Sequence, residues 1–300
     1  MRMIRFDDRV AIVTGAGKGL GRAYALELAR RGARLVLNNR RREVDHQGLA
    51  AVDHLAAEIR AAGGEALVNA DSVEDPASGP RMVAQALDQW GRLDVVVNNA
   101  GVDRTASFAK MTLSEYLNAF EINFHGSLYL AHAAWGPMRE VGYGRIVMST
   151  SSAGLHGGHG LSSYAAAKAA LIGLTRSLAV EGRSRGVLVN AIAPYAFTPM
   201  TAPQMPPELA DRFPSHAVAP LVAWLASEAN TSISGECFVA GGGRFQRAAS
   251  VEGSGVLLAG SDNSAEGIGT HLDRLRTLED AQEFVDAMTA FSALSNRLDT

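Results

Sequence analysis

The sequence predicts a doubly wound parallel α/β sheet in a single domain, followed by a C-terminal extension. Three features carry this expectation. Short apolar runs alternate with helical spacing through the first part of the chain, a glycine-rich turn directly follows the first run, and the alternation stops in a proline-rich segment. Parallel neighbours need helical crossovers, and those helices cover both faces of the sheet, so each strand reads as a continuous apolar run.

Val10-Ala11-Ile12-Val13 is the first strand, and residues 21–31 carry Ala25, Leu28 and Ala29 at helical spacing. A strand at 34–37 leads to an amphipathic helix over 49–62, which Gly63-Gly64 stops. A strand at 66–68, a helix over 81–90 and a strand at 93–97 follow. The same rhythm gives a helix over 113–138, a strand at 145–148, a helix over 163–181 and a strand at 187–192. From Pro194 to Pro214, six prolines interspersed with Met200, Met205 and Phe213 predict an irregular flap over about 194–217. A helix over 218–226 and a last strand over 236–240 complete a domain of residues 1–247. No strand is expected after Gly241-Gly242-Gly243. Residues 248–300 read as an extension in which a Gly/Ser-rich stretch, 251–269, leads to one amphipathic helix over 278–294.

Charge is nearly balanced at a net −3, which gives no electrostatic reason to expect nucleic acid or an anionic membrane as a partner. Arg40-Arg41-Arg42 is the one local exception. The single cysteine, Cys237, excludes an internal disulfide and a multi-cysteine metal centre, and no metal is expected. Arg2, Arg5, Asp7, Asp8 and Arg9 precede any apolar run, the wrong order for a secretory signal. No apolar run approaches the roughly 20 residues of a membrane span. Cytoplasm is the expected location.

Thr14-Gly15-Ala16-Gly17-Lys18-Gly19-Leu20-Gly21 occupies a strand-turn-helix setting. Glycines there let the backbone approach a pyrophosphate, whose charge is met by N–H groups at the helix start, the Rossmann pattern of dinucleotide binding. Gly15, Lys18, Gly19, Leu20 and Gly21 are therefore candidate cofactor contacts, the plain alternative being a turn without a ligand. The second strand ends in Leu37-Asn38-Asn39-Arg40-Arg41, with no acid to accept from a ribose 2′-hydroxyl. Asn39 and Arg40, with Lys18 near, favour the 2′-phosphate of NADP(H) over NAD(H), unless the arginines are simply a solvated loop. Asp71 and Ser72 follow the third strand, where a carboxylate suits an adenine amino group. Asn98, Ala100 and Gly101 end the fourth strand and are expected to face the crevice, although Asn and Gly are also ordinary turn formers.

Tyr164 and Lys168 stand four residues apart on an expected helix, hence on one face. An adjacent ammonium favours the phenolate and lowers the phenol's pKa, giving a group that can protonate a carbonyl oxygen or deprotonate an alcohol. Ser151, at the end of the preceding strand, is placed to donate to the same oxygen. Asn123 is an odd polar residue among Phe120, Ile122 and Phe124. A buried Asn also serves merely to satisfy backbone groups, and Tyr-x-x-x-Lys arises by chance, so order and spacing together carry the weight.

Taken together, Thr-Gly-x-x-x-Gly-x-Gly, Asn98-Asn99-Ala100-Gly101, Asn123, Ser151 and Tyr164-x-x-x-Lys168 resemble the short-chain dehydrogenase/reductase family, in order over about residues 6–245. The resemblance implies that Asn123, Ser151, Tyr164 and Lys168 are the catalytic tetrad. It also implies that Lys168 holds the nicotinamide ribose, that Asn123 keeps a water in the proton relay, and that the chain forms a homodimer or homotetramer. Pro194 would open the flap over the nicotinamide, with Thr198 contacting the carboxamide. Within the family, the runs Arg5-Phe6-Asp7, 19–26, Ala133-Ala134-Trp135, Tyr143-Gly144-Arg145-Ile146 and 218–222 resemble the (3R)-hydroxyacyl-CoA dehydrogenase branch found in peroxisomal multifunctional β-oxidation enzymes, also known for 17β-hydroxysteroid dehydrogenase activity. The chain departs from that branch at Asn39, where an Asp ends the second strand, and at Tyr195, where Gly follows the proline.

The expected function is hydride transfer between a nicotinamide cofactor and a bulky, mostly apolar secondary alcohol or ketone, a 3-hydroxyacyl thioester first and a steroid second. Met200, Met205 and Phe213 of the flap and residues 154–161 would wall the pocket, methionine being adaptable against irregular apolar shapes; His156 and His159 read as exposed loop residues. A broad NADPH-dependent ketoreductase is the alternative within enzymes, and a dinucleotide-sensing protein without turnover the alternative outside them. Small residues after Tyr164 (Ala165, Ala166, Ala167, Ala169, Ala170, Gly173) suit close approach of a second helix, whether from another subunit or from the same chain.

Overall fold

The computed structural model describes residues 3–41 and 43–298, so Arg2 and Arg42 of the expectations above lie outside the described residues. It divides into compact units of Met1–Arg247 and Ala248–Thr300. The first unit is built on an eight-stranded sheet ordered β3-β2-β1-β4-β5-β6-β7-β8. The strands are β1 (Val10–Thr14), β2 (Arg34–Asn38), β3 (Ala66–Asn69), β4 (Val95–Asn98), β5 (Gly144–Ser149), β6 (Val187–Tyr195), β7 (Cys237–Gly241) and β8 (Arg244–Ala248). β1 to β7 all pair in parallel. This is the doubly wound Rossmann architecture, and its order reverses at β1, which lies between β2 and β4.

Side chains alternate between the two faces of each strand. Val13, Leu35, Val97 and Ile192 pack with α1 (Gly19–Arg30), α2 (Ala51–Ala61) and α8 (Ala219–Ala226), through Leu28, Leu55 and Val222. Ile12, Val96, Ile146 and Val189 pack on the other face with α3 (Ser78–Trp90), α5 (Gly126–Val141) and α7 (Ser162–Gly182), through Met82, Leu130 and Leu171. The amino ends of the central strands are closed by Asp94, which accepts from Val10 N at 2.9 Å, Arg9 Nη1 at 2.7 Å and Arg92 Nη2 at 2.6 Å. A ligand is left the carboxyl ends.

The structure revises four expectations. The helix read over 113–138 is α4 (Leu113–Phe120), a π turn (Glu121–His125) and α5 in succession. The stretch read as a loop at 154–161 begins inside a short helix, α6 (Ser152–His156). A strand does follow β7: Gly242 and Gly243, at φ +58° and +77°, make a two-residue turn into β8. In the second unit the helices are α9 (Ala265–Thr270), α10 (Leu272–Arg276) and α11 (Ala287–Asn296), not one helix over 278–294. The start of α11 is fixed by Asp286, whose side chain accepts from Thr289 N at 2.8 Å, while the Glu252–Gln282 bridge keeps the preceding segment extended.

Candidate active site

At the switch point the end of β4 is clamped onto the glycine-rich loop. Thr14 Oγ1 accepts from both Asn99 N and Ala100 N at 3.0 Å, and Asn99 Nδ2 donates to Thr14 O at 3.0 Å and Gly15 O at 3.3 Å. No side chain fits in this contact: a Cβ at Gly15 would lie 2.9 Å from Ala100 Cα, and one at Gly21 would lie 2.2 Å from Gly15 O. The loop therefore lies flat before the start of α1, and a cavity of about 360 Å³ opens over it. Gly15, Lys18, Gly19 and Leu20 line one part, Ala100, Gly101, Ser149 and Thr150 the middle, and Tyr164, Lys168, Pro194, Thr198 and Met200 the other part. Backbone N–H groups at a helix start and a trough long enough to touch both loop and tyrosine fit a dinucleotide. The Thr198 end is rigid: Thr198 N donates to Thr201 Oγ1 at 2.9 Å, and Thr201 Oγ1 donates to Ala196 O at 2.6 Å.

Beyond the loop, Asn39 and Arg40 line the cavity, with Asn39 packed against Gly17. Each nearby cation faces an acid. Arg40 Nη1 lies 2.7 Å from Glu74 Oε1, which also accepts from Ser72 Oγ at 2.9 Å, and Lys18 Nζ lies 2.6 Å from Glu43 Oε2. Asp71 lies behind, its Oδ2 accepting from Arg81 Nε at 2.8 Å and Asn69 Nδ2 at 3.2 Å. The arginine holds its carboxyl below the ordinary carboxylate range.

At the other end, α7 carries Tyr164 and Lys168. Lys168 Nζ donates to Ser149 O at 2.8 Å, and Thr150 Oγ1 donates to Lys168 O at 2.6 Å, which ties the helix to the end of β5. Burial pulls the Lys168 ammonium down to about 8. The same cause pushes the Tyr164 phenol above its ordinary value; the neighbouring Ser151 hydroxyl works in the opposite direction, and the charge of Asp103 adds to the rise. The sequence expectation was a phenol lowered by the ammonium. Burial outweighs that effect because Nζ sits 5.6 Å from the ring centroid and is turned to a carbonyl.

Asn123 sits in the π turn, fully buried, and its amide is used up on backbone: Nδ2 donates to Ala119 O at 2.8 Å and Val102 O at 2.9 Å, while Oδ1 accepts from Val102 N at 3.1 Å. It thus pins the chain just beyond Gly101 beside Lys168. Asn98 has its side chain in the layer under α5, donating to Ser127 O at 3.2 Å, and not in the cavity. Gly21 serves the loop fold, while the Ser151 hydroxyl caps α6, accepting from Ala153 N at 3.2 Å. Asp71 and Ser72 stand outside the cavity lining. His156 and His159 are exposed. Sequence reasoning passed over three acids, Glu43, Glu74 and Asp103, and also Gln204, whose Nε2 donates to Asp103 Oδ2 at 2.6 Å and ties the flap to the segment after β4. Their positions are set by loops, so no spacing in the sequence marks them.

Residues 9–208 match the family model for short chain dehydrogenases. Peroxisomal multifunctional enzyme A of Dictyostelium discoideum is 42% identical over 255 residues, 83% of this chain and 57% of that protein. The peroxisomal hydratase-dehydrogenase-epimerase of Neurospora crassa is 39% identical over 266 residues, 88% of this chain and 29% of that protein. Full-length peroxisomal multifunctional enzyme type 2 of Drosophila melanogaster superposes with a TM-score of 0.83 at 32% identity, covering 99% of this chain and 50% of that one. The chain thus spans about half or less of these relatives. The glycine-rich loop, the cavity that joins it to Tyr164 and Lys168, and these matches together place the chain in the short-chain dehydrogenase/reductase family of nicotinamide-dependent oxidoreductases acting on CH–OH groups.

Proposed function

We propose that the chain interconverts a bulky, mostly apolar secondary alcohol and its ketone, a 3-hydroxyacyl thioester ahead of a steroid, with NADP(H) preferred over NAD(H). The observation that carries this reading is Tyr164, one helical turn from Lys168 and with it lining the end of a cavity bordered by Met200. In reduction Tyr164 donates its proton to the substrate oxygen while the Ser151 hydroxyl donates a hydrogen bond to it; in oxidation the phenolate takes the alcohol proton. The nicotinamide cofactor, when bound, supplies or accepts the hydride. Gly15, Lys18, Gly19 and Leu20 would hold its pyrophosphate, Asn39 and Arg40 its adenosine ribose, Lys168 the other ribose and Thr198 the carboxamide. Asp71 and Ser72 would serve the adenine, and Asn123 the relay through the segment it pins. The thioester is favoured by the sequence runs shared with the hydroxyacyl-CoA dehydrogenase branch.

A 2′-phosphate would draw Lys18 from Glu43 and Arg40 from Glu74, and its double charge and several acceptors outcompete single carboxylates for a guanidinium. Fluorescence titration with NADPH and NADH tests this. Tighter NADPH binding that Arg40→Asp weakens by about tenfold or more is the expected result; NADH binding as well as NADPH would overturn the preference. Association as a homodimer or homotetramer belongs to the same reading. No helix among the described residues is long and apolar enough to cross a membrane. A cytoplasmic location is proposed from the single cysteine, which suits a reducing compartment, and since the relatives are named peroxisomal, fractionation of the source cells is the test.

A further inference from the structure

A second cavity, of about 350 Å³, opens where the flap is rooted in the sheet. Its floor is the sheet itself. Tyr195 of β6 pairs with Gly241 of β7, and the Gly242-Gly243 turn sets Arg244 of β8 opposite Gly241. One row thus runs across three strands with a glycine in the middle. A Cβ at Gly241 would lie 2.7 Å from the Cβ of Tyr195 and 3.3 Å from Cδ1 of Phe213, so only glycine leaves the floor open. Arg212 and Phe213 form the opposite wall, fixed by Phe197 N donating to Phe213 O at 2.7 Å. Strand alternation puts Tyr195 and Val239 on the face covered by α7, since Ala193 and Val239 pack in the apolar cluster that holds Leu171 and Ile172. That helix carries Tyr164 and Lys168. The residues just after Tyr195 in the chain, Thr198 to Met200, already border the cofactor cavity.

Two guanidinium groups, those of Arg212 and Arg244, line this second cavity. Arg9, Arg22, Arg31, Arg34, Arg41, Arg81 and Arg92 each face a carboxylate. Arg212 and Arg244 have no ion-pair partner among the described residues. Both line the cavity together with the rings of Tyr195 and Phe213. Guanidinium forks bind phosphate oxygens, and aromatic rings stack on a nucleobase. A lone inorganic anion would leave the rings unused, and a convex acidic protein surface would not fill a slot.

We propose that this cavity binds the phosphorylated adenosine end of a coenzyme A thioester whose acyl arm passes the root of the flap to reach Tyr164. The proposal rests on the thioester reading above. It is tested by comparing acetoacetyl-CoA with the N-acetylcysteamine thioester of acetoacetate, which lacks the nucleotide, at saturating NADPH. In an Arg212→Glu/Arg244→Glu variant the KM for acetoacetyl-CoA is expected to rise about tenfold or more, and the ratio of the two KM values to rise by the same factor. An equal loss on both thioesters, or no change, overturns the proposal, as does a loss seen only with acetoacetyl-acyl carrier protein. Calorimetry with adenosine 3′,5′-bisphosphate on cofactor-saturated protein judges the cavity separately. Binding that the double variant abolishes supports the site, even if wild-type protein turns over neither thioester and the thioester reading itself fails. Absence of binding overturns it, and binding without any effect on the KM ratio overturns the substrate assignment in favour of a free nucleotide.

Discussion

The proposed proton donor, Tyr164, and its neighbour Lys168 are governed by burial more than by charge pairing. Tyr164 keeps its proton because ionising a buried phenol is costly, and Asp103 adds to that cost. A raised phenol suits reduction, which needs the proton in place, and it delays oxidation, which needs the phenolate, to higher pH. Asp103→Asn removes the negative charge and retains an oxygen able to accept from Gln204, so the tie to the flap survives. The sign follows directly: without that charge the phenolate is easier to form, and the rise of the alcohol-oxidation rate with pH is expected to move to lower pH. A pH profile of kcat/KM that stays in place or moves upward would show that Asp103 does not act on the phenol. That Tyr164 and Lys168 would share one face was legible in the sequence because they stand at helical spacing, and the structure brings both to the cavity. The acids were not: Glu43, Glu74 and Asp103 meet their partners across loops, and nothing in their local sequence separates them from solvated surface charge.

Among the elements, the passage from α4 through the π turn to α5 explains the odd polar residue of the sequence. Asn123 sits among apolar neighbours because its amide satisfies the backbone of the preceding turn and of Val102. π turns are rare and often mark functional positions, and a period read from sequence alone runs straight through one. β8 was illegible for a different reason. Arg244-Phe245-Gln246-Arg247-Ala248 is mostly exposed at the sheet edge and lacks the continuous apolar pattern of the buried strands. α7 presents the complementary case of a legible face with an open purpose. Ala167 is buried against the rest of the unit, whereas Ala169 and Gly173 are exposed, and a Cβ at Gly173 would meet nothing within 4 Å. Gly173→Trp should therefore leave the protomer's fold intact and disturb only contacts between copies. Sedimentation is expected to show a dimer or tetramer for the wild type and a smaller species for the variant. A monomeric wild type, or an unchanged variant, would exclude assembly through this face.

At the scale of the molecule, the sheet unit divides its work between the two ends of its strands. Asp94 with Arg9 and Arg92 closes the amino end, and all the candidate chemistry gathers at the carboxyl end. The seven parallel strands were readable because burial on both faces demands unbroken apolar runs. The second unit was not, because its helices are short and their starts are set by caps such as Asp286. The glycine-rich loop and Tyr164 follow β1 and β5, far apart in the chain, and become one site because the order turns back at β1, which leaves only β4 between those two strands. The function proposed for that site is a direct transfer between cofactor and substrate with Tyr164 as the proton partner. The most direct test follows the label from NADPH deuterated at the transferable position into acetoacetyl-CoA, for wild type and Tyr164→Phe, with cofactor binding checked by fluorescence. The expected result is one deuterium at the carbinol carbon in the wild type, and a variant that still titrates with NADPH but turns over more slowly by about 10²- to 10⁴-fold. Unchanged turnover in Tyr164→Phe would contradict the assignment of the acid/base.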